Sequence, residues 1–121
     1  MGLHMSSYGK RKGATFETSV VKWLRLKDIL AERLTKAGAK DEGDVVAFLD
    51  GTANILELKA TKKLDLPQFW REAEVEAENY AKARGLKEVP YKFVVVKRRQ
   101  AGIDKAWVVE DFEQWTKRAG K

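Results

Sequence analysis

The sequence predicts a single α/β domain built on a mixed, mostly antiparallel sheet flanked by helices, and three stretches carry that prediction. Val45–Leu49 and residues 55–60 are short apolar runs with the alternation of half-buried strands, and Asp50-Gly51 between them is a strong two-residue hairpin signal. Over residues 67–84, Phe69, Trp70, Ala73, Ala77, Tyr80 and Ala81 recur with helical period, with Pro67 suited to the first turn and Gly85 closing the run. Tyr91–Val96 is almost continuously apolar, as a strand buried on both faces would be.

The remaining elements follow in chain order. MGLHM at residues 1–5 reads as a leader left by a cloning site, with the natural start at Met5. The only histidine, His4, lies within it, which removes histidine from any general-base or metal-binding role. Residues 6–12 are polar and basic and read as a mobile arm, either gripping phosphate or simply solvated. The organisation is thus a leader and basic arm over residues 1–12 and one domain over 13–121. Gly13 can begin a helix, and Phe16, Val20, Trp23 and Leu24 fall at helical spacing, so residues 14–26 should be helical. Glu17 near the positive end of that helix gains a few tenths of a kcal/mol up to ~1 whatever its function. Residues 26–35 suit either a second helix, through Ile29, Leu30 and Leu34, or a strand, and residues 36–43 form a loop with Lys40 available to a phosphate. On the later helix, Glu72, Glu74, Glu76 and Glu78 are expected mostly to face solvent, on a surface turned away from any nucleic acid. A turn at 100–104, a last strand at 105–109 and a short helix at 110–119 anchored by Phe112 and Trp115 complete the chain.

Composition narrows the function. The 121 residues can bury roughly 65% of the unfolded surface and hold a core without staples. No cysteine is present, so disulfides and thiolate metal sites are excluded, which fits a reducing cytoplasm. No apolar run approaches the ~20 residues that cross a bilayer, and no signal-peptide core precedes the domain, so a soluble, cytoplasmic protein with no membrane partner is expected. Lys plus Arg number 24 against 18 Asp plus Glu, a net charge of +6, which suits nucleic-acid binding as well as solubility. The basic residues gather at Lys10, Arg11 and Lys12, at Lys62 and Lys63, and at Lys97, Arg98 and Arg99.

The hairpin brings together the residues with chemistry to offer. If Asp50-Gly51 forms a type I′ loop, Leu49 faces Thr52, and counting back sets Asp44 across from Glu57, with Lys59 on the same face. A four-residue loop would preserve that arrangement, whereas an odd-length loop would turn Asp44 to the other face. Two carboxylates so placed repel each other unless a hard cation such as Mg²⁺ joins them, with the Leu58 carbonyl as a further ligand. Lys59 beside them could position water and stabilise negative charge.

Asp44, then Glu57-Leu58-Lys59 on the following strand, preceded by Gly13 and Glu17 on a first helix, resembles the PD-(D/E)XK nuclease superfamily. Within it the likeness is to small Holliday junction resolvases of the archaeal Hjc type and their phage-encoded relatives. It is carried by RKGATFE at 11–17, KAGAKDEGDV at 36–45, ELKATKKLDL at 57–66 and VVVKRR at 94–99, in the family order. Gly43 stands where the superfamily motif has proline.

The resemblance implies a restriction-endonuclease-like fold, with a strand near residues 31–35 and the order α-β-β-β-α-β-β-α. It implies a metal-dependent endonuclease making paired nicks in four-way DNA junctions as a homodimer, in the cytoplasm of the host cell if phage-encoded. Asp44 and Glu57 would bind Mg²⁺, for which Mn²⁺ can substitute; Lys59 would be the catalytic lysine, and Glu17 a carboxylate reaching the water shell. Lys10, Arg11, Lys12, Lys40, Lys62, Lys63, Lys97, Arg98 and Arg99 would contact DNA phosphates. Flap or duplex cleavage on the same fold, or a non-catalytic structure-selective DNA-binding module, are the alternative readings.

Overall fold

A computed structural model describes residues 5–34 and 43–121, with side chains described over 15–34 and 43–121. The chain runs α1 (Met5–Leu26), β1 (Leu30–Arg33), β2 (Val45–Leu49), β3 (Thr52–Lys59), α2 (Leu66–Ala83), β4 (Tyr91–Val96), β5 (Trp107–Val109) and α3 (Phe112–Arg118), with a 3-10 turn at Ile103–Lys105. The five strands lie in one sheet in sequence order, β3 and β4 parallel and every other neighbouring pair antiparallel.

Side-chain alternation splits the core between the two sheet faces. Val45, Ala47, Leu56, Phe93 and Val95 point toward Phe16, Val20 and Val21 of α1. Their neighbours Val46 and Ile55 pack on Ala77 and Tyr80 of α2, and Val94 and Val96 pack on its Phe69 and Ala73. The double coverage explains why β4 reads as an apolar run rather than an alternating one. Asp65 caps α2 by accepting from the Gln68 N–H at 3.2 Å, with proline in the first turn as expected.

The sequence expectation needs adjusting at two places on the N-terminal side. The stretch 6–12, expected as a mobile arm, is helical backbone continuous with α1. Helix extension adds one hydrogen bond per residue to a turn already anchored by Phe16 and Val20, and no proline interrupts it. Between 26 and 35 the strand is formed and the second helix is not: Asp28 takes a positive φ of 60°, and the Arg25 guanidinium donates twice to the Ala31 carbonyl, at 3.1 and 2.9 Å, turning the chain into β1. The loop expected at 36–43 lies outside the described residues apart from Gly43.

Candidate active site

The hairpin sets the site. Asp50 and Gly51 both have positive φ, 52° and 76°, as a type I′ turn requires, and Leu49 pairs with Thr52. Pairing runs back to Val45 opposite Leu56, and Asp44 continues it by donating its N–H to the Leu56 carbonyl at 3.2 Å. Its own carbonyl accepts from the Leu34 N–H at 2.9 Å, and its carboxylate Oδ2 accepts from the Leu58 N–H at 2.7 Å. Asp44 is therefore held from both neighbouring strands, across from Glu57, on the face that α2 covers.

Gly43 just before it has φ 101°, and a Cβ there would stand 2.6 Å from Ile55 Cγ2. Proline, whose ring holds φ near −65°, cannot take this conformation. The chain therefore enters Asp44 along a backbone path that a proline at position 43 would not allow.

Glu57 is 5% exposed. Burial, reinforced by hydrogen bonding and like charge from Asp44 and then from Glu76, pushes its carboxyl up to about 11. At neutral pH the protein by itself keeps a proton there. Glu76 of α2 is buried as well, and Glu57, Glu72 and Glu76 each offer an oxygen with all three atoms within 4.8 Å of one another. Lys59 Nζ lies 3.1 Å from Glu72 Oε2, 3.6 Å from Glu57 Oε2 and 4.7 Å from the centre of the Phe69 ring. Burial works against the Lys59 charge, but the hydrogen bond to Glu72 and the negative charges of Glu57, Glu72 and Glu76 outweigh it, so its ammonium is held more firmly than usual.

This donor set suits a hard divalent cation. Carboxylate oxygens are its preferred ligands, and the raised Glu57 carboxyl marks where acids are crowded together out of water. Glu17 and Arg33 line the same cleft as Asp44, Glu57 and Lys59, and are joined there by a 2.5 Å ion pair. Leu58 lines it too, its N–H committed to Asp44.

The remaining sequence candidates divide. Lys62, Lys97, Arg98 and Arg99 line one cleft of about 380 Å³, tied to the carboxylate site where the Lys97 N–H donates to the Lys59 carbonyl at 2.9 Å. Lys63 is exposed beside it, its N–H bound to Thr61 Oγ1 at 3.3 Å. Lys10, Arg11 and Lys12 fall on the first turns of α1, with side chains outside the described set, and Lys40 lies outside the described residues.

One expectation is overturned. Glu72 and Glu76 do not belong to a solvated surface turned away from the site: Glu76 is 5% exposed and both line the cleft, while Glu78 is exposed as expected. The signal was present in the spacing. Phe69, Ala73, Glu76, Ala77 and Tyr80 fall on one helical face, so Glu76 interrupts the apolar stripe itself, and Glu72 sits one turn before it.

No protein-family model matches the chain, and no curated protein matches it. Among solved structures it is similar to Hjc, a Holliday junction resolvase from the archaeal hyperthermophile Archaeoglobus fulgidus, with a TM-score of 0.50 and 18% identity over 81% of this chain and 88% of that one. A mixed five-stranded sheet with helices on both faces, in this order, is the restriction-endonuclease-like fold.

Proposed function

We propose that the protein is a metal-dependent DNA endonuclease, and that its substrate is a four-way junction, cut by paired nicks. The observation that carries this reading is the placement of Asp44, Glu57 and Lys59 on one sheet face, beside a buried glutamate from α2, in a fold shared with a Holliday junction resolvase.

Asp44 and Glu57 would hold the cation, Mg²⁺ or in its place Mn²⁺, with Glu76 and the Leu58 carbonyl as further oxygen donors. Such a cation neutralises charge on the phosphate under attack and makes nearby water more acidic. To serve as a ligand Glu57 would have to give up the proton it holds in the ion-free protein. Lys59, aimed by Glu72, orients the attacking water and offers its charge to the phosphate. Glu17, fixed by Arg33, organises water at the rim of the cleft. Lys62, Lys63, Lys97, Arg98 and Arg99, with Lys10, Arg11, Lys12 and Lys40, hold the phosphate backbone, an interaction that positions DNA without reading its sequence. A symmetric homodimer would present two such sites for the two opposed nicks.

The test mixes the protein with end-labelled four-way junction, flap and linear duplex of equal length, with Mg²⁺ or EDTA, beside Glu57→Ala. Symmetric Mg²⁺-dependent nicks in the junction, abolished in Glu57→Ala with junction affinity unchanged or higher, are the expected result. Cleavage of flap or duplex instead would reassign the substrate, and binding without cleavage in either protein would leave a DNA-binding module. Loss of binding and cleavage together in Glu57→Ala would make the site structural.

A further inference from the structure

The row of the sheet that carries Lys59 does not end at the carboxylates. Lys59 pairs with Val96 on β4, and Val96 pairs with Trp107 on β5, so the three side chains share one face. Two strand spacings put the Trp107 backbone about 10 Å from that of Lys59. Val96 lies under Phe69 of α2, whereas Trp107 remains 54% exposed.

The indole is not bare apolar surface. The Arg98 guanidinium lies over it, Cζ 4.3 Å from the ring centre, and Arg98 Nη1 also donates to the Lys105 carbonyl at 3.5 Å. Arg98 belongs at the same time to the cleft of Lys62, Lys97 and Arg99, so a flat aromatic and guanidinium surface adjoins three further positive charges. The nearby acid, Asp104, lies 3.8 Å from Lys105 Nζ. Phe112 and Trp115, also exposed, follow β5 on α3, which is bound to the opposite end of β4 through Gln114 and Lys92, and form no part of this surface.

The geometry points to Trp107, with Arg98, as a stacking platform for an unstacked nucleobase at a discontinuity in the DNA, with Lys62, Lys97 and Arg99 taking the phosphates that flank it. Aromatic rings and arginine planes both accept a base face, and a base is available to them only where it has left the duplex stack. Positive charge alone would bind any duplex. The platform adds a preference for DNA whose stacking is broken, and about 10 Å, the rise of about three stacked nucleotides, separates it from Lys59. The inference rests on the nuclease reading only for the purpose the selectivity serves.

The test binds wild type, Trp107→Ala and Trp107→Phe, in EDTA, to a linear duplex and to the same duplex carrying one unpaired 2-aminopurine, read by anisotropy and by 2-aminopurine emission. Expected are quenching of the fluorophore by wild type and Trp107→Phe, loss of that quenching in Trp107→Ala, and a drop of about tenfold in its affinity for the interrupted duplex. Affinity for the intact duplex should stay within about twofold. Equal quenching and equal affinities in wild type and Trp107→Ala would overturn the platform. So would a change in sedimentation mass in Trp107→Ala, which would make the patch a contact between copies, or an equal loss on both DNAs with a lowered melting temperature. The same preparations with Mg²⁺ and labelled four-way junction separate the two readings. Cleavage without quenching keeps the nuclease and removes the platform; quenching without cleavage does the reverse.

Discussion

Glu57→Gln replaces a buried, protonated acid with a neutral amide of nearly the same shape, and its effect on stability should depend on pH in a definite direction. The folded protein holds the Glu57 carboxyl up to about 11, against an ordinary 4.5. The group's contribution is therefore fully present below about pH 4.5 and is lost as pH rises toward about 11, because the folded chain keeps a proton that the unfolded chain has released. One extra proton in the folded state corresponds to about 1.4 kcal/mol of lost stability per pH unit. Between pH 6 and pH 8 wild type should thus lose about 3 kcal/mol that Glu57→Gln keeps. Urea unfolding of both proteins in EDTA at pH 6, 7 and 8 measures this, since titration of groups remote from Glu57 cancels in the difference. Parallel pH dependences of the two proteins would refute the reasoning: Glu57 would then ionise in the fold as freely as outside it.

The same proton predicts how a cation binds. Calorimetry with Mn²⁺ in buffers of different ionisation enthalpy should show about one proton released per ion near pH 7, with apparent affinity rising about tenfold per pH unit and Glu57→Gln releasing none. Gly43→Ala combines a positive φ with a Cβ 2.6 Å from Ile55 Cγ2 and should cost about 1–3 kcal/mol of stability, read as a lower urea midpoint at unchanged slope. Lys62→Ala and Arg99→Ala should each weaken duplex binding and reduce the slope of log affinity against log salt by about 0.9, measured between 50 and 200 mM salt.

What could be seen in the sequence was the part governed by short-range rules. Asp50-Gly51 determines a turn type, the turn type determines a register, and the register puts Asp44 across from Glu57 and Lys59 on their face. Each step involves residues within one hairpin, and the structure follows it. The α2 stripe and the buried β4 were readable for the same reason. Glu72 and Glu76 were misjudged because acidic residues on a helix are ordinarily solvated, and the side of the helix they occupy acquires meaning only when α2 crosses the end of β3. Arg33 was missed because its partner, Glu17, lies 16 positions earlier on another element. Trp107 carried no local signal at all: its interest comes from its position in a row with Val96 and Lys59, a relation made by two strand pairings.

The charges in the site indicate what its acids are for. A sheet end needs no carboxyl to be closed, and burying Glu57 and Glu76 costs the fold stability that apolar side chains of similar size would return. Lys59 compensates only in part, since its closest carboxylate is the more exposed Glu72 rather than either buried acid. That division separates two tasks. Glu72 holds the ammonium at the mouth of the cleft, while Glu57, buried and crowded by Asp44 and Glu76, keeps a proton. A group that exchanges that proton for a divalent ion is a switchable ligand, and an ammonium fixed beside it by a different residue is not drawn away when the exchange occurs.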